Sequence, residues 1–175
     1  VWVNNAGYAA PYGPAAHVGP SSFMRVVQTN IVGTYNGSIV ALRHFLPARR
    51  GKLINILGRG SRGEASPNQS AYAASKAWEA SFTRTLAKEY RASAVGIHAF
   101  NPGMMTTDFL TDLVAVSGFE DRLKAMPTIV RMWAKPPEVP AQRVVWLASA
   151  ATDGKTGLEV KQMSALGMAV GAARE

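Results

Sequence analysis

Lys52–Leu57, KLINIL, reads as a short continuous apolar strand bounded on each side by glycine, the kind that is covered on both faces. A sheet with one face in water would ask for strict alternation of apolar and polar residues instead. A strand covered twice needs helices above and below it, and the chain supplies them on either side. From Ser21 to about Leu46, Phe23, Val26, Val27, Ile31, Tyr35, Ile39 and Leu42 recur at helical spacing, with Ser21 or Ser22 as N-cap and Pro47 and Gly51 as the stop. A second helix is expected from a cap at Ser70 to about Ala92, where Trp78, Phe82, Leu86 and Tyr90 repeat every four residues as a core stripe.

The other segments extend the alternation. Val1–Val3 reads as the end of a buried strand stopped by Asn4, Asn5 and Gly7, and Tyr8–Pro20 as a loop rich in glycine and proline. AVGIHAFNPG is a strand running into a turn, and Met104–Lys135, with weak helical periodicity, suits a mobile flap. PPEVPAQRVVWLAS reads as a short helix opened by prolines, and GLEVKQM as a last strand before an Ala/Gly tail. Strands alternating with helices point to parallel βαβ units and hence to an α/β, doubly wound parallel sheet. With 175 residues, no repeat and no linker, residues 1–175 are taken as one unit. The chain opens on VWVNNAG, already inside an apolar β-branched run, so an amino-terminal part of the sheet is expected upstream of Val1.

Composition removes several function classes. No apolar run is long enough to cross a bilayer and no signal peptide opens the chain. The absence of cysteine excludes disulfides, thiolate catalysis and cysteine–zinc sites, and fits a cytoplasmic location. The net charge of +8 is scattered over Arg43, Arg49, Arg50, Arg59, Arg62, Arg84, Lys88 and Arg91, with no basic helix interleaved with aromatics, so nucleic acid is not an expected partner. His17, His44 and His98 show no ligand spacing, so no metal is expected. Asp108, Asp112, Glu120 and Asp121 read as solvated charges or caps.

Two motifs remain. Gly58, Gly60 and Gly63 spell G-x-G-x-x-G after the KLINIL strand. In a dinucleotide loop the third glycine packs at the opening of a helix, where free N–H groups meet the pyrophosphate. Here Glu64, Ala65, Ser66, Pro67 and Asn68 follow instead, so the motif reads as a flexible loop. Tyr72 and Lys76 are four apart at the start of the second helix and therefore share one face, beside the carboxyl edge of the preceding strand. A phenol is a weak acid–base group at neutral pH, but a neighbouring ammonium favours the phenolate and lowers its pKa, giving a proton carrier for an alcohol or carbonyl oxygen. The alternative is a surface tyrosine and an unrelated solvated lysine.

NNAG after a strand, Asn30 within TNIVGTYNG, QSAYAASK opening a long helix, and NPGMMTTD after the next strand follow one another in that order. Together they resemble the short-chain dehydrogenase/reductase family over essentially the whole chain. The resemblance implies an NAD(P)-dependent oxidoreductase with a Rossmann-like fold, acting on a small-molecule alcohol or carbonyl and forming a homo-oligomer when full length. It implies Tyr72 as the acid–base residue, Lys76 as the residue that binds the nicotinamide ribose and lowers the tyrosine pKa, and Asn30 as part of a proton relay. Asn5, Ala6 and Gly7 match the segment that lets backbone approach the cofactor, and Pro102, Gly103 and Thr107 the segment that covers the nicotinamide.

The match departs in two places. The family's serine falls thirteen residues before the tyrosine, which is Arg59; counted from Asn55 on the strand, it falls on Gly58. Ser61, freed by glycines on either side, is the nearest hydroxyl able to stand in; a backbone N–H, Arg59, or no donor at all are the alternatives. The family's T-G-x-x-x-G-x-G phosphate loop would lie upstream of NNAG, so the choice between NAD and NADP is not legible here. A non-catalytic relative kept for binding or assembly is the competing expectation.

Overall fold

The computed structural model describes residues 1–162. Its centre is a four-stranded, wholly parallel sheet in the order β1 (Trp2–Asn4), β2 (Gly51–Ile56), β3 (Val95–Asn101), β4 (Glu159–Lys161). Asn4 lies beside Asn55, Ile56 beside Phe100 and Phe100 beside Val160, so the carboxyl ends of the strands form one common edge. Met163, which ends the GLEVKQM segment, and the Ala/Gly tail fall outside the described residues.

Side-chain alternation along β2 decides which helix covers which face. Leu53 points to one side and joins Ala41, Leu42 and Phe45 of α2 (Thr34–Ala48) and Leu86 and Ala87 of α3 (Ser70–Glu89). Ile54 and Ile56 point to the other side and meet Phe100 and Leu147, the latter on α6 (Glu138–Ala148). The fully buried Leu53, Ile54 and Leu147 side chains each contribute roughly 2 kcal/mol by leaving water. Of the aromatic stripe on α3, Leu86 is buried, while Trp78 and Phe82 are half-buried and stack on each other at 4.7 Å between centroids.

The first long helix starts at Pro20, one residue before the expected serine cap, because proline is pre-set for the first helical position and has no N–H to lose there. It begins as α1 (Pro20–Val26), passes through a π-helical segment, Val27–Gly33, and continues as α2. Pro47 does not stop it; the helix ends one residue later, where Arg49 takes the left-handed conformation and its N–H returns to Leu46. The expected flap contains three short helical pieces, α4 (Asp108–Thr111), a 3-10 turn at Glu120–Leu123 and α5 (Met126–Trp133). It is tied at its base, where Thr106 N–H donates to the Lys135 carbonyl and Lys135 N–H to that of Met104.

Candidate active site

The carboxyl edge of an open parallel sheet is where ligands bind, and a polar network fixes it here. Asn4 Nδ2 donates to Asn55 Oδ1 at 2.8 Å and to Ser38 Oγ at 3.0 Å, and Asn55 Nδ2 donates to Thr83 Oγ1 at 2.8 Å. These bonds join β1 and β2 to α2 and α3, the two helices on one face of the sheet. Buried amides with their donors satisfied specify one register, since a slip would strand them without partners.

Tyr72 and Lys76 lie on the first turns of α3, just beyond β2. Lys76 is 4% exposed, and its Nζ, 5.8 Å from the Tyr72 ring centroid, donates to the Ile56 carbonyl at 3.0 Å. It also meets both carboxylate oxygens of Glu79, at 3.0 and 2.8 Å. Glu79 is 1% exposed and one turn further along the helix. Burial pushes its carboxyl up to about 7, against the pull of the Lys76 charge. The acidified phenol expected from the sequence is therefore corrected: burial, and next the negative charge of Glu79, push the Tyr72 pKa up rather than down. The ammonium is close, but a carboxylate accompanies it and cancels its field.

Asn30 joins this group from the π-helical segment, a local distortion that recurs at functional sites. It is fully buried; its Oδ1 accepts from the Tyr8 N–H, while Nδ2 donates to the Tyr8 carbonyl and to Ser75 Oγ, whose own hydroxyl returns to the Tyr72 carbonyl. The helix thus holds the Asn5–Ala6–Gly7 loop against the start of α3. Asn5, Ala6 and Gly7 are exposed at the edge, and a Cβ placed on Gly7 would sit 3.8 Å from Lys76 Nζ and 4.0 Å from Asn30 Oδ1.

The two residues reached by counting to the family's serine lie differently with respect to Tyr72. A Cβ on Gly58 would lie 2.2 Å from Tyr72 Oη, so Gly58 is the residue whose missing side chain leaves room for the hydroxyl. Arg59 turns away to Ser66, with Nε donating to Oγ at 3.3 Å. Ser61 is buried at the same edge but faces β3, its Oγ 3.4 Å from Asn101 Nδ2; none of its described hydrogen bonds reaches Tyr72. The glycine loop has its own carboxylate where a phosphate loop would hold an anion. Glu64, itself exposed, accepts from the N–H groups of Gly60 and Arg62 at 2.8 and 2.9 Å, and, against a desolvation that raises it, these bonds hold its carboxyl below the usual range. Gly60, at φ +93, presses on the start of α3, where an added Cβ would lie 2.5 Å from the Ala73 Cα.

Pro102 is buried after β3, and Gly103, at φ +73, donates its N–H to Asn101 Oδ1. Thr107 caps α4 with its carbonyl, which accepts from Leu110 and Thr111 N–H. This turn carries Phe109 over the site. Its ring lies 5.6 Å from that of Tyr72, and its edge is 4.0 Å from the Gly7 position. A cavity of about 200 Å³ lies between the Tyr8–Pro11 loop and the flap, lined by Tyr8, Pro11, Asp108, Phe109 and Leu113 among others. Asp108 and Asp112, expected as solvated charges, border it. Sequence reading missed Glu79 and Phe109. The i,i+3 spacing of Lys76 and Glu79 was a usable signal for the first; nothing in the flap's pattern marked the second. Among the described residues no three of His, Asp and Glu gather as a metal cage, and no helix is long and apolar enough to cross a membrane.

The family model for the short chain dehydrogenases matches residues 1–116. The chain is 34% identical over 158 residues to the cis-4-hydroxycyclohexanecarboxylate dehydrogenase of Sinomonas cyclohexanicum, covering 90% of this chain and 61% of that one. It is 31% identical over 131 residues to a probable chloroplastic chlorophyll(ide) b reductase of Oryza sativa subsp. japonica, covering 74% of this chain and 25% of the relative. The fold superposes at a TM-score of 0.77 and 28% identity on a putative NAD(P)-dependent gluconate 5-dehydrogenase from Beutenbergia cavernae with bound NADP, over 91% of this chain and 62% of that one. It superposes at 0.76 and 25% identity on a 3-ketoacyl-(acyl-carrier-protein) reductase from Brucella melitensis complexed with NADH, over 91% of this chain and 64% of that one. The chain thus spans between a quarter and about two thirds of the length of these relatives. Sheet order, the Asn4–Gly7 edge and the matched residues lead to one assignment: the chain belongs to the short-chain dehydrogenase family.

Proposed function

We propose that the protein is an NAD(P)-dependent oxidoreductase that interconverts an alcohol and a carbonyl, with Tyr72 as acid–base residue and Lys76 and Asn30 as its supports. The observation that carries this reading is the meeting of Tyr72, Lys76, Asn30 and the exposed Gly7 turn at one sheet edge, beneath Phe109. The residues suit a dinucleotide in that Gly7 leaves backbone open beside Lys76 Nζ, and the Pro102–Gly103 turn and Thr107 border the same edge. A nicotinamide supplies the hydride donor or acceptor when bound. Tyr72 gives a proton to the substrate oxygen in reduction and takes one in oxidation. Burial keeps the phenol protonated at neutral pH, so it holds the proton that reduction needs, but also makes it a weaker acid than a free tyrosine. Ser61 is the candidate hydroxyl donor to the substrate oxygen: Asn101 donates to its Oγ, leaving the O–H free to point elsewhere.

The test is turnover of a panel of alcohols and ketones with NAD(H) and NADP(H), in the full chain and in Tyr72→Phe. The expected result is activity in the former and a loss of at least ~100-fold in the latter, with cofactor affinity kept. An unchanged rate in Tyr72→Phe refutes the mechanism. A second reading, a relative that binds cofactor without turnover, is favoured by the bare Gly58 position; cofactor binding without activity on any panel member would support it. The same proposal takes residues 1–175 as the catalytic and substrate part of one dinucleotide-binding domain, in a cytoplasmic protein. It also includes a homo-oligomer, for which the exposed Phe23, Met24, Tyr35 and Val40 along α1 and α2 offer an apolar strip.

A further inference from the structure

Helix α3 presents a third ionisable group at the site, and the chemistry above makes no use of it. An ammonium has three N–H donors. Those of Lys76 face three acceptors, the Ile56 carbonyl and both oxygens of Glu79, all within 3.0 Å. Nζ also lies 3.8 Å from the point where a Cβ of Gly7 would be, so the lysine already borders the open backbone of the cofactor edge. To serve a ribose hydroxyl there, it has to release at least one carboxylate oxygen.

Releasing it is not neutral for Glu79. A buried carboxylate deprived of its cation is strongly disfavoured, and the inexpensive remedy is a proton. Little else near Glu79 can compensate. On α3 the ionisable groups beside it are Lys76 and Tyr72, and its backbone carbonyl is capped by Thr83 Oγ1. β2 offers only the Ile56 carbonyl and Asn55, the latter engaged with Thr83 and Asn4; the π-helical segment offers Asn30, engaged with Tyr8 and Ser75. Arg25, on α1, stacks over the Tyr8 ring at 4.3 Å. His98 of β3 follows the parity of Ile54 and faces away from α3.

We propose that Glu79 is a positioning residue that competes with the cofactor for Lys76, so that cofactor binding transfers Lys76 to the ribose and takes up one solvent proton on Glu79. The proposal rests on the reading of Lys76 as the ribose-binding residue. No covalent bond other than the new O–H forms or breaks. The carboxyl's elevated pKa, near neutrality, suits a group that changes state at this step. Protonating Glu79 in this way also removes the smaller of the two causes that hold the Tyr72 pKa up, burial of the phenol being the larger.

The test uses the full chain with NADH and NADPH as probes. Calorimetric titration in two buffers of different ionisation enthalpy counts the protons taken up on binding, and fluorescence titration follows affinity from about pH 6 to about pH 9. The expected result for the unaltered protein is uptake approaching one proton above neutrality, with affinity falling up to tenfold per pH unit there. Glu79→Gln, which keeps the shape and cannot ionise, is expected to bind without proton uptake and with a flat pH profile. In the cofactor-free protein, carbon-13 NMR of the glutamate carboxyls is expected to show one resonance titrating near neutrality and absent from Glu79→Gln. No proton uptake by the unaltered protein overturns the proposal whether or not the variant folds. Lys76→Met separates the two layers: weaker binding in Lys76→Met with no proton uptake in the parent sinks the role of Glu79 alone. Unchanged binding in Lys76→Met sinks the reading of Lys76 together with it.

Discussion

Replacing Gly58 by serine tests how the tyrosine is seated. Gly58 is absent from the positive-φ glycines, so its backbone accepts a side chain and any cost arises from space alone. The new Cβ would stand 2.2 Å from Tyr72 Oη, 3.1 Å from its Cζ and 3.4 Å from Lys76 Cγ. Carbon and oxygen that are not bonded settle at roughly 3.5 Å, so the hydroxyl has to back away by about 1 Å. The way out is toward Phe109, a ring 44% exposed on a surface turn, so the site yields cheaply. The cost is expected at the low end of overpacking, about 1 kcal/mol, or roughly 2–4 °C of melting temperature for a chain of this size. Pushed outward, the phenol regains water and moves farther from Glu79, and its pKa falls back toward the ordinary tyrosine value. The serine hydroxyl would then stand beside it as a donor to the substrate oxygen, a contribution of ~100-fold or more in turnover where such donors have been removed from other enzymes. Gly58→Ala is the control, with the same displacement and no donor. Ultraviolet titration of tyrosinate, read against the Tyr72→Phe background, follows the phenol, and thermal melts follow the cost. If both variants melt like the parent and leave the Tyr72 titration where it was, the hydroxyl does not occupy that space and the placement of the site is wrong.

Two further outcomes follow from the same structure. His98 is fully buried with both ring nitrogens unpartnered, and burial together with the Lys52 charge holds its pKa down to about 4 against 6.5 unfolded; the unfolded chain thus binds a proton that the folded one refuses, and ~3 kcal/mol of stability present above pH 6.5 is lost as the pH falls toward 4. Glu79 acts with the opposite sign, since its raised pKa makes stability greatest below 4.5 and lowers it as pH rises through about 7, so the two offset each other between 4.5 and 6.5. His98→Leu should expose the Glu79 slope in urea midpoints across that window; a pH-independent midpoint in the variant would show that Glu79 titrates normally. Ser61→Ala is expected to lower turnover by ~10-fold or more if the hydroxyl swings to the substrate, and an unchanged rate removes Ser61 from the site.

Much of the fold was legible because it rests on local periodicity. KLINIL demanded cover on both faces, and the two long helices supplied one side of it, though through Ala41, Leu42, Phe45, Leu86 and Ala87. Of the stripe expected on the first helix Phe23 and Tyr35 are exposed, since apolar spacing marks a helix without showing which of its faces meets the sheet. Helix ends were less legible: Pro47 lies inside α2, and the π-helical turn around Asn30 has no signature in apolar spacing. The Tyr72–Lys76 pair was legible as well, because four residues are one helical turn wherever the helix lies.

What spacing along a chain carries is which residues share a face; what it cannot carry is which charge stands across from them. The sequence by itself determined the parallel α/β architecture, the family motifs, and the meeting of a phenol and an ammonium on one turn. Only the tertiary structure decided that Gly58 is the residue facing the phenol, that Glu64 fills the glycine loop, that Lys76 is joined to a buried Glu79, and that burial of the phenol, with the Glu79 charge second, raises the tyrosine pKa. The physical reason is desolvation. Its magnitude depends on how much protein surrounds a group from every direction, and that is set by contacts between segments far apart in the chain.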